Sequence, residues 1–517
     1  MNIKIKNPFV DNTDKRNKFI FCVVVTLALG LIAHAYQFFH SSFSHDSLNA
    51  LYADSTEIKW KIALGRYAVP IIMKLRGQIA LPWVIGVISL FLIAVSLFLV
   101  TETFEIDSKI FIFLFSIFMV TNRTVYSMVA TYIYELDYDM SALLFACLAA
   151  YLMMKKDKMG WYFLAVLSCI LSLALYQSYI EVAIAIVIIA SIKNIVEGCK
   201  YTDVLKRGFK AITTFIVGTV LYYGLYKLIC NFTNVTVEGR TDALTTEGMF
   251  LTGNFKSMIY LVIRNVKSPI SIYSNLFLGI IDIILILIGV ILCLIMVFKF
   301  GKSKIGEIII AVLLMVALPF SLNLISLTVN GVVHDLMVYS FEFLYIYSLT
   351  MIYAFTKNKK IKAINVIAGI LCVVIGFNNI VVANTFYLKK DMEKTATVSL
   401  MTRVVDDLEE RDDYIVGETP ISFVGNPRVF KTYEGFDLDS KLPVGVYFTS
   451  SIKASVEQDE SGDPYNSYKR FFTYYLNYPI NYSSKDFSDN EKVKNMPTYP
   501  EKGYIQNIDG VLVVKMG

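Results

Sequence analysis

Histidine, tryptophan, proline and charge are all scarce in this 517-residue chain: four His, three Trp, 12 Pro and 18% charged residues. Four histidines spread over distant segments make no recognisable metal site. The seven cysteines, Cys22, Cys147, Cys169, Cys199, Cys230, Cys293 and Cys372, fall in or beside apolar runs, with none in the polar C-terminal region. No C-x-x-C pair or disulfide framework is visible, so buried free thiols are expected. Also missing are a Gly-rich phosphate loop, a nucleotide-binding fingerprint and any internal repeat. Without a nucleotide-sugar or ATP site, chemistry here calls for a lipid-borne substrate or an ion gradient. No metal, other cofactor or nucleic-acid partner is indicated.

What the chain has in abundance is apolar surface: 56% of residues are hydrophobic and the mean hydropathy is +0.56. Runs of about 18 or more apolar residues read as membrane helices. Such runs occur near 18–38, 80–100, 109–127, 139–155, 160–175, 178–195, 211–230, 274–298, 305–327, 335–356 and 363–384. The expected fold is therefore an all-α polytopic membrane protein with about 11 spans. The polar N-terminal tail precedes a long apolar run with no small-residue cleavage site, so an uncleaved first span is expected.

Basic clusters lie in the N-terminal tail, at "KKDK" (155–158), in "KNIVEGCKYTDVLKRGFK", at "KFGKSK" and at "KNKKIK". All fall on one side if every run crosses once, which makes that side cytoplasmic. The acidic loop "TETFEIDSK" is the exception. Eleven crossings leave the N-terminus inside and the C-terminus outside. The outer face then receives 39–79, 128–138, the "YQSYIE" turn, 231–273, 328–334 and everything after about 385.

From Asp391 onward the composition changes to 21 acidic against 14 basic residues. We divide the chain into a membrane domain, 1–390, and an extracytoplasmic domain, 391–517. The latter opens with a helical pattern and continues in strand-like pieces: "YIVGE", "ISFVG", "GVYFTS" and "GYIQNIDGVLVVKM", where Asp-Gly suits a tight turn. A small α/β domain is expected. Its aromatic stretch 468–484 reads as core, with stacking on sugar rings as the alternative.

Candidate chemistry lies on the outer face. The segment "SFSHDSLNALYADSTEIKWKIALGRYAVP" (42–70) is too charged for hydrocarbon, yet its apolar residues recur at helical spacing. It reads as helices lying in the interface plane. Asp46 stands at the start of the first of them, as a first-turn cap or as a reactive carboxylate. Glu135, Asp137 and Asp139 in "YIYELDYDMSALLF" sit where one span ends and the next begins. Three carboxylates so near hydrocarbon are costly unless solvated or engaged. Arg66, Arg123, Arg264 and Lys267 map to outer segments, against the general inward bias of Arg and Lys. Arg supplies a planar fork suited to phosphate; snorkelling to headgroups is the plainer reading and the one adopted for Lys74 and Arg76. Tyr176, Gln177 and Glu181 at an outer turn, with His45 and His334 on outer loops, either line a polar cavity or cap helices.

The passages "HDSLNALY", "GRYAVPI", "ELDYDMSALLFACLAAYL" and "LYQSYIEVA" place an early outer-loop acid, interfacial helices and a second acidic loop in order. This resembles the GT-C class of membrane glycosyltransferases. More narrowly it resembles the Gtr-type glucosyltransferases that decorate bacterial O-antigens, and relatives acting on other cell-wall polysaccharides. The likeness is best over 20–195. It implies a polyprenyl-phosphate sugar donor (glucose or N-acetylglucosamine), a cell-surface glycan acceptor and inverting transfer at the outer face of a bacterial plasma membrane. By position, Asp46 resembles the general base, and Glu135 and Asp137 the acids of the second loop. Arg66, Arg123, Arg264 and Lys267 are then the donor-phosphate candidates, and His45, Tyr176, Gln177, Glu181 and His334 the sugar-binding ones. The competing classes are a secondary transporter or lipid flippase, a polysaccharide polymerase or ligase, and a non-enzymatic assembly factor.

Overall fold

The computed structural model describes residues 13–40, 42–53, 55–236, 276–300, 305–327, 334–357, 362–425, 467–483 and 485–516, with a few isolated positions near 256–260. "GVYFTS", Arg264 and Lys267 lie outside the described residues. Each of the eleven apolar runs is helical. They are α1 (Thr13–His40), α5 (Pro82–Thr103), the pair α6 (Lys109–Val120) and α7 (Arg123–Thr131), α8 (Leu136–Lys155), α9 (Met159–Leu175), α10 (Ile180–Val196), α11 (Tyr201–Thr233), α12 (Leu276–Ile295), α13 (Ile305–Ser321), α14 (Phe343–Lys357) and α15 (Lys362–Glu409). Among the described residues seven helices are long and apolar enough to cross a membrane, or eight if the bent α6–α7 pair is one span. The others are shorter: α9 and α13 have 17 residues and α14 has 15. The polytopic all-α membrane architecture follows from these helices.

Asn122 makes the break in α6–α7. Its side chain accepts from the Val125 N–H (3.0 Å) and donates to the Phe118 carbonyl (2.8 Å), starting a new helix bent 43° from the old one. The helices then pack closely. A Cβ on Gly289 of α12 would stand 2.4 Å from the Ser348 Cα of α14, so only glycine permits that approach. His34 of α1 joins three helices, 2.8 Å from Tyr387 Oη and 2.9 Å from the Val120 carbonyl.

One end of the bundle explains the acidic "TETFEIDSK" loop. Glu102 pairs with Lys18 (2.7 Å) and Lys15 (3.0 Å), and Glu105 with Lys155 (2.5 Å) and Lys193 (3.6 Å). The acidic loop thus neutralises the basic ends of α1, α8 and α10. At the opposite end lie the short helices α2 (His45–Ala50), α3 (Ser55–Ala63) and α4 (Val69–Leu75).

Beyond this end α15 runs on. At about 1.5 Å per residue its 48 residues extend about 72 Å, longer than a bilayer core is thick. It carries the chain through residue 391 without a break and supplies Leu400, Met401, Val404 and Leu408 to a second core. There β1 (Pro420–Val424), α16 (Ser467–Phe471), β2 (Asn481–Tyr482), α17 (Glu491–Lys494), β3 (Ile505–Ile508) and β4 (Val511–Lys515) form a sheet of order β2-β1-β4-β3 with its short helices. β3 and β4 are an antiparallel hairpin closed by Asp509 and Gly510, both at positive φ. "YIVGE" is not a strand. Its backbone closes into turns, the Glu418 and Thr419 N–H groups both donating to the Ile415 carbonyl, and past the buried Tyr414 its apolar residues Ile415 and Val416 are exposed. Tyr468, Phe471 and Phe472 are fully buried, so this part of the aromatic stretch is core.

Candidate functional site

The site assembles where α3, the turn before α4 and the start of α8 meet. In α3, Glu57 and Lys61 stand one turn apart and pair at 2.9 Å. The helix ends in a Schellman turn: Arg66 N–H donates to the Lys61 carbonyl and Gly65 N–H to that of Ile62, both at 2.9 Å. Gly65 has φ +78°, and a Cβ there would lie 2.4 Å from Tyr222 Oη and 2.8 Å from Gln177 Nε2. Only glycine fits, and the reversal brings Lys61 and Arg66 onto the same carboxylate.

That carboxylate is Glu135, the last residue of a 3-10 turn (Ile133–Glu135) leading into α8. Lys61 Nζ donates to one oxygen at 2.5 Å and Arg66 Nη1 to the other at 3.2 Å. The Arg66 guanidinium lies 4.0 Å over the Tyr176 ring, a cation–π contact on its remaining face. Two residues on, Asp137 accepts from Arg76 Nη1 at 2.8 and 2.9 Å, while Arg76 Nη2 donates to the Tyr134 carbonyl at 2.8 Å. Asp139 lies within electrostatic reach of Glu135, Arg66 and Lys61.

Glu57, Lys61, Glu135, Asp137 and Asp139 are all under 8% exposed. Four carboxylates thus face three cations with little water between them, an arrangement that survives burial only because the charges pair. Burial alone would pull the Lys61 ammonium down, but Glu135 and Glu57 more than offset it and raise it above its ordinary value. The pairing is incomplete in an informative way. Arg66 Nε, Arg76 Nε and Asp139 Oδ1 are buried and have no hydrogen-bond partner among the described residues. Each arginine is held by the end of its fork and keeps a donor in reserve. Buried polar atoms of this kind call for a ligand or water.

The expected residues separate into groups. Arg66, Glu135 and Tyr176 meet directly, and Asp137 is adjacent. Gln177 supports them from behind, donating to the Leu64 carbonyl (2.8 Å) and to Tyr222 Oη (3.0 Å). His45 and Asp46 form the first turn of α2, whose cap is Ser44; their side chains lie outside what is described. Glu181 is held elsewhere: it accepts from the Ile325 N–H and from Ser340 Oγ (3.0 Å), tying two 3-10 turns together. Arg123 stands within electrostatic reach of Glu342, and His334 precedes the turn Asp335–Met337 that packs on α7.

Lys61 and Arg76 were not among the expected site residues. The Glu57/Lys61 spacing of four was a readable signal for Lys61. Arg76 offered none, because an arginine flanked by apolar residues looks the same whether it reaches for lipid or for a carboxylate 61 positions away.

In comparisons with known proteins, no curated protein and no solved structure matches the chain. A family model, described as Glucosyl transferase GtrII, matches residues 35–355, from the C-terminal end of α1 to α14 and across the whole charged cluster. With more than half of its length matched, the chain belongs to the GtrII glucosyl transferase family.

Proposed function

We propose that this glycosyltransferase moves a single glucose from a polyprenyl-phosphate donor to a cell-surface polysaccharide, with inversion, at the outer face of a bacterial plasma membrane. In that reaction a carboxylate removes the proton of the acceptor hydroxyl as its oxygen attacks the anomeric carbon. The bond from that carbon to the phosphate oxygen breaks, and its electron pair leaves with the lipid phosphate. The departing monoester gains a negative charge that fixed cations must meet.

The observation that carries the reading is the pair of arginines, each fixed by a buried carboxylate and each keeping an Nε without a partner among the described residues. Glu135 and Asp137 act here as holders that orient Arg66 and Arg76 toward the donor phosphate. A carboxylate engaged in an ion pair is a poor proton acceptor, so the base is assigned to Asp46. Ser44 already caps α2 through a reciprocal pair with Ser47 (3.2 and 2.7 Å), so Asp46 is not needed as a cap. The exposed apolar residues Trp60 on α3 and Ile71, Leu75 and Leu81 on either side of Arg76 in the chain suit a lipid tail lying in the bilayer with its phosphate at the rim. Arg123, Arg264 and Lys267 stay assigned to a secondary role in phosphate binding.

The test is transfer from synthetic polyprenyl-phosphate glucose to isolated cell-wall glycan by purified protein. We expect Asp46→Asn to lose turnover while keeping its size-exclusion profile, and Arg66→Ala to lose both turnover and donor affinity. Full activity in folded Asp46→Asn would move the base to one of Glu135, Asp137 or Asp139. No transfer by folded wild type from any lipid-phosphate sugar would remove the donor assignment.

A further inference from the structure

The first outer loop is held from two directions. The segment α3–α4 is tied to the membrane domain through Glu135, through Gln177 and through Tyr226, whose hydroxyl donates to the Ala63 carbonyl at 2.6 Å. α2 is tied differently. Phe43, just before it, and Leu48, within it, are each 1% exposed and belong to the core of the C-terminal domain. The Phe43 ring lies 5.2 Å from Phe471 and 4.8 Å from Tyr475. On its other side Ser44 Oγ donates to the Thr131 carbonyl at the end of α7 (3.2 Å).

A six-residue helix has almost no stability of its own, since isolated helices shorter than about 12 residues are marginal in water. Its position is dictated by what it packs against. From these contacts we infer that the C-terminal domain is a working part of the transferase: its Phe471/Tyr475 shelf seats α2 against the turn Ile133–Glu135 and so fixes the backbone that carries Asp46. Phe471 and Tyr475 are positioning residues. The inference rests on the first loop being catalytic, as proposed above.

The shelf is tested in the full-length protein with Tyr475→Ala and Leu48→Ala, which thin the two sides of the contact. Val493→Ala is the control, since Val493 sits in the separate small core with Phe487, Val513 and Met496 and does not reach α2. Hydrogen exchange of the amides of residues 45–50 is read first, because it needs no substrate. Exchange there is expected to rise in Tyr475→Ala and Leu48→Ala and to match wild type in Val493→Ala. Turnover should fall on the order of 10²-fold in the first two, since small misplacements of reacting groups cost about that much, with donor KM nearly unchanged. Tyr475→Phe, which keeps the ring, should restore both readings. Unchanged exchange over 45–50 in Tyr475→Ala and Leu48→Ala, or an equal loss of turnover in Val493→Ala, overturns the inference. Asp46→Asn is run in parallel. If it stays active while Tyr475→Ala loses turnover, the base assignment falls and the seat stands; if it is inactive while Tyr475→Ala is normal in both readings, the seat alone falls.

Discussion

A buried charge is tolerated only beside its partner, and this decides what individual substitutions do in the cluster. Arg76→Ala leaves Asp137 buried and uncompensated, which costs about 3 kcal/mol. We expect a clear drop in thermal unfolding temperature in detergent. Arg76→Ala combined with Asp137→Asn should regain much of it, because the stranded charge is gone. An equal drop in the single and double variants would show that Arg76 matters for packing alone. Lys61 gives a pH expectation. Its folded value is raised above the ordinary 10.5, so the stability it contributes is fully present below that value and is lost only as pH rises through the higher folded one. Unfolding temperature followed from about pH 7 to about pH 10 should therefore show no transition that Lys61→Met abolishes. At this scale sequence reading located Arg66, Glu135 and Asp137 as residues of interest, because charge beside hydrocarbon is visible locally. It misjudged Arg76, whose partner is distant in the chain.

At the scale of elements, helix existence was legible and helix joints were not. Every apolar run became a helix because hydrophobicity at spanning length is a local property that packing does not reverse. The break at Asn122 was hidden inside the run 109–127, since the short polar stretch 121–124 near its end leaves the run long and apolar enough on average to read as one span. "YIVGE" had the right residues for a strand and lacked a partner to pair with. The Schellman turn at Gly65 is the joint with most consequence, because it brings Lys61 and Arg66 to Glu135. Gly65→Ala forces a side chain into a positive-φ position against Tyr222 and Gln177. This costs about 1–3 kcal/mol and should raise donor KM through Arg66, measurable together by thermal unfolding and by initial rates of transfer. Wild-type donor KM in Gly65→Ala would mean that the turn does not set Arg66.

At the scale of the whole molecule, the two ends of the bundle are chemically unlike, one of basic turns around Glu102 and Glu105 and the other of acids and arginines around Glu135 and Asp137. Cys199 tests which end faces the cytoplasm. It is exposed and lies between α10 and α11 at the basic end, whereas the other six thiols are buried. A membrane-impermeant maleimide should leave Cys199 unlabelled in intact cells and label it after permeabilisation; labelling in intact cells would invert the proposed orientation. Sequence by itself determined the polytopic helical class, the acidic cluster at 135–139, the helical first loop and the Asp-Gly hairpin, because each is written in residues a few positions apart. Only the tertiary structure decided that Arg76 holds Asp137, that Lys61 and Arg66 share Glu135, and that Phe43 just before α2 rests on Phe471 and Tyr475, more than 400 residues away in the chain. These are pairings between remote segments, chosen by which groups burial brings together, and local pattern carries no record of them.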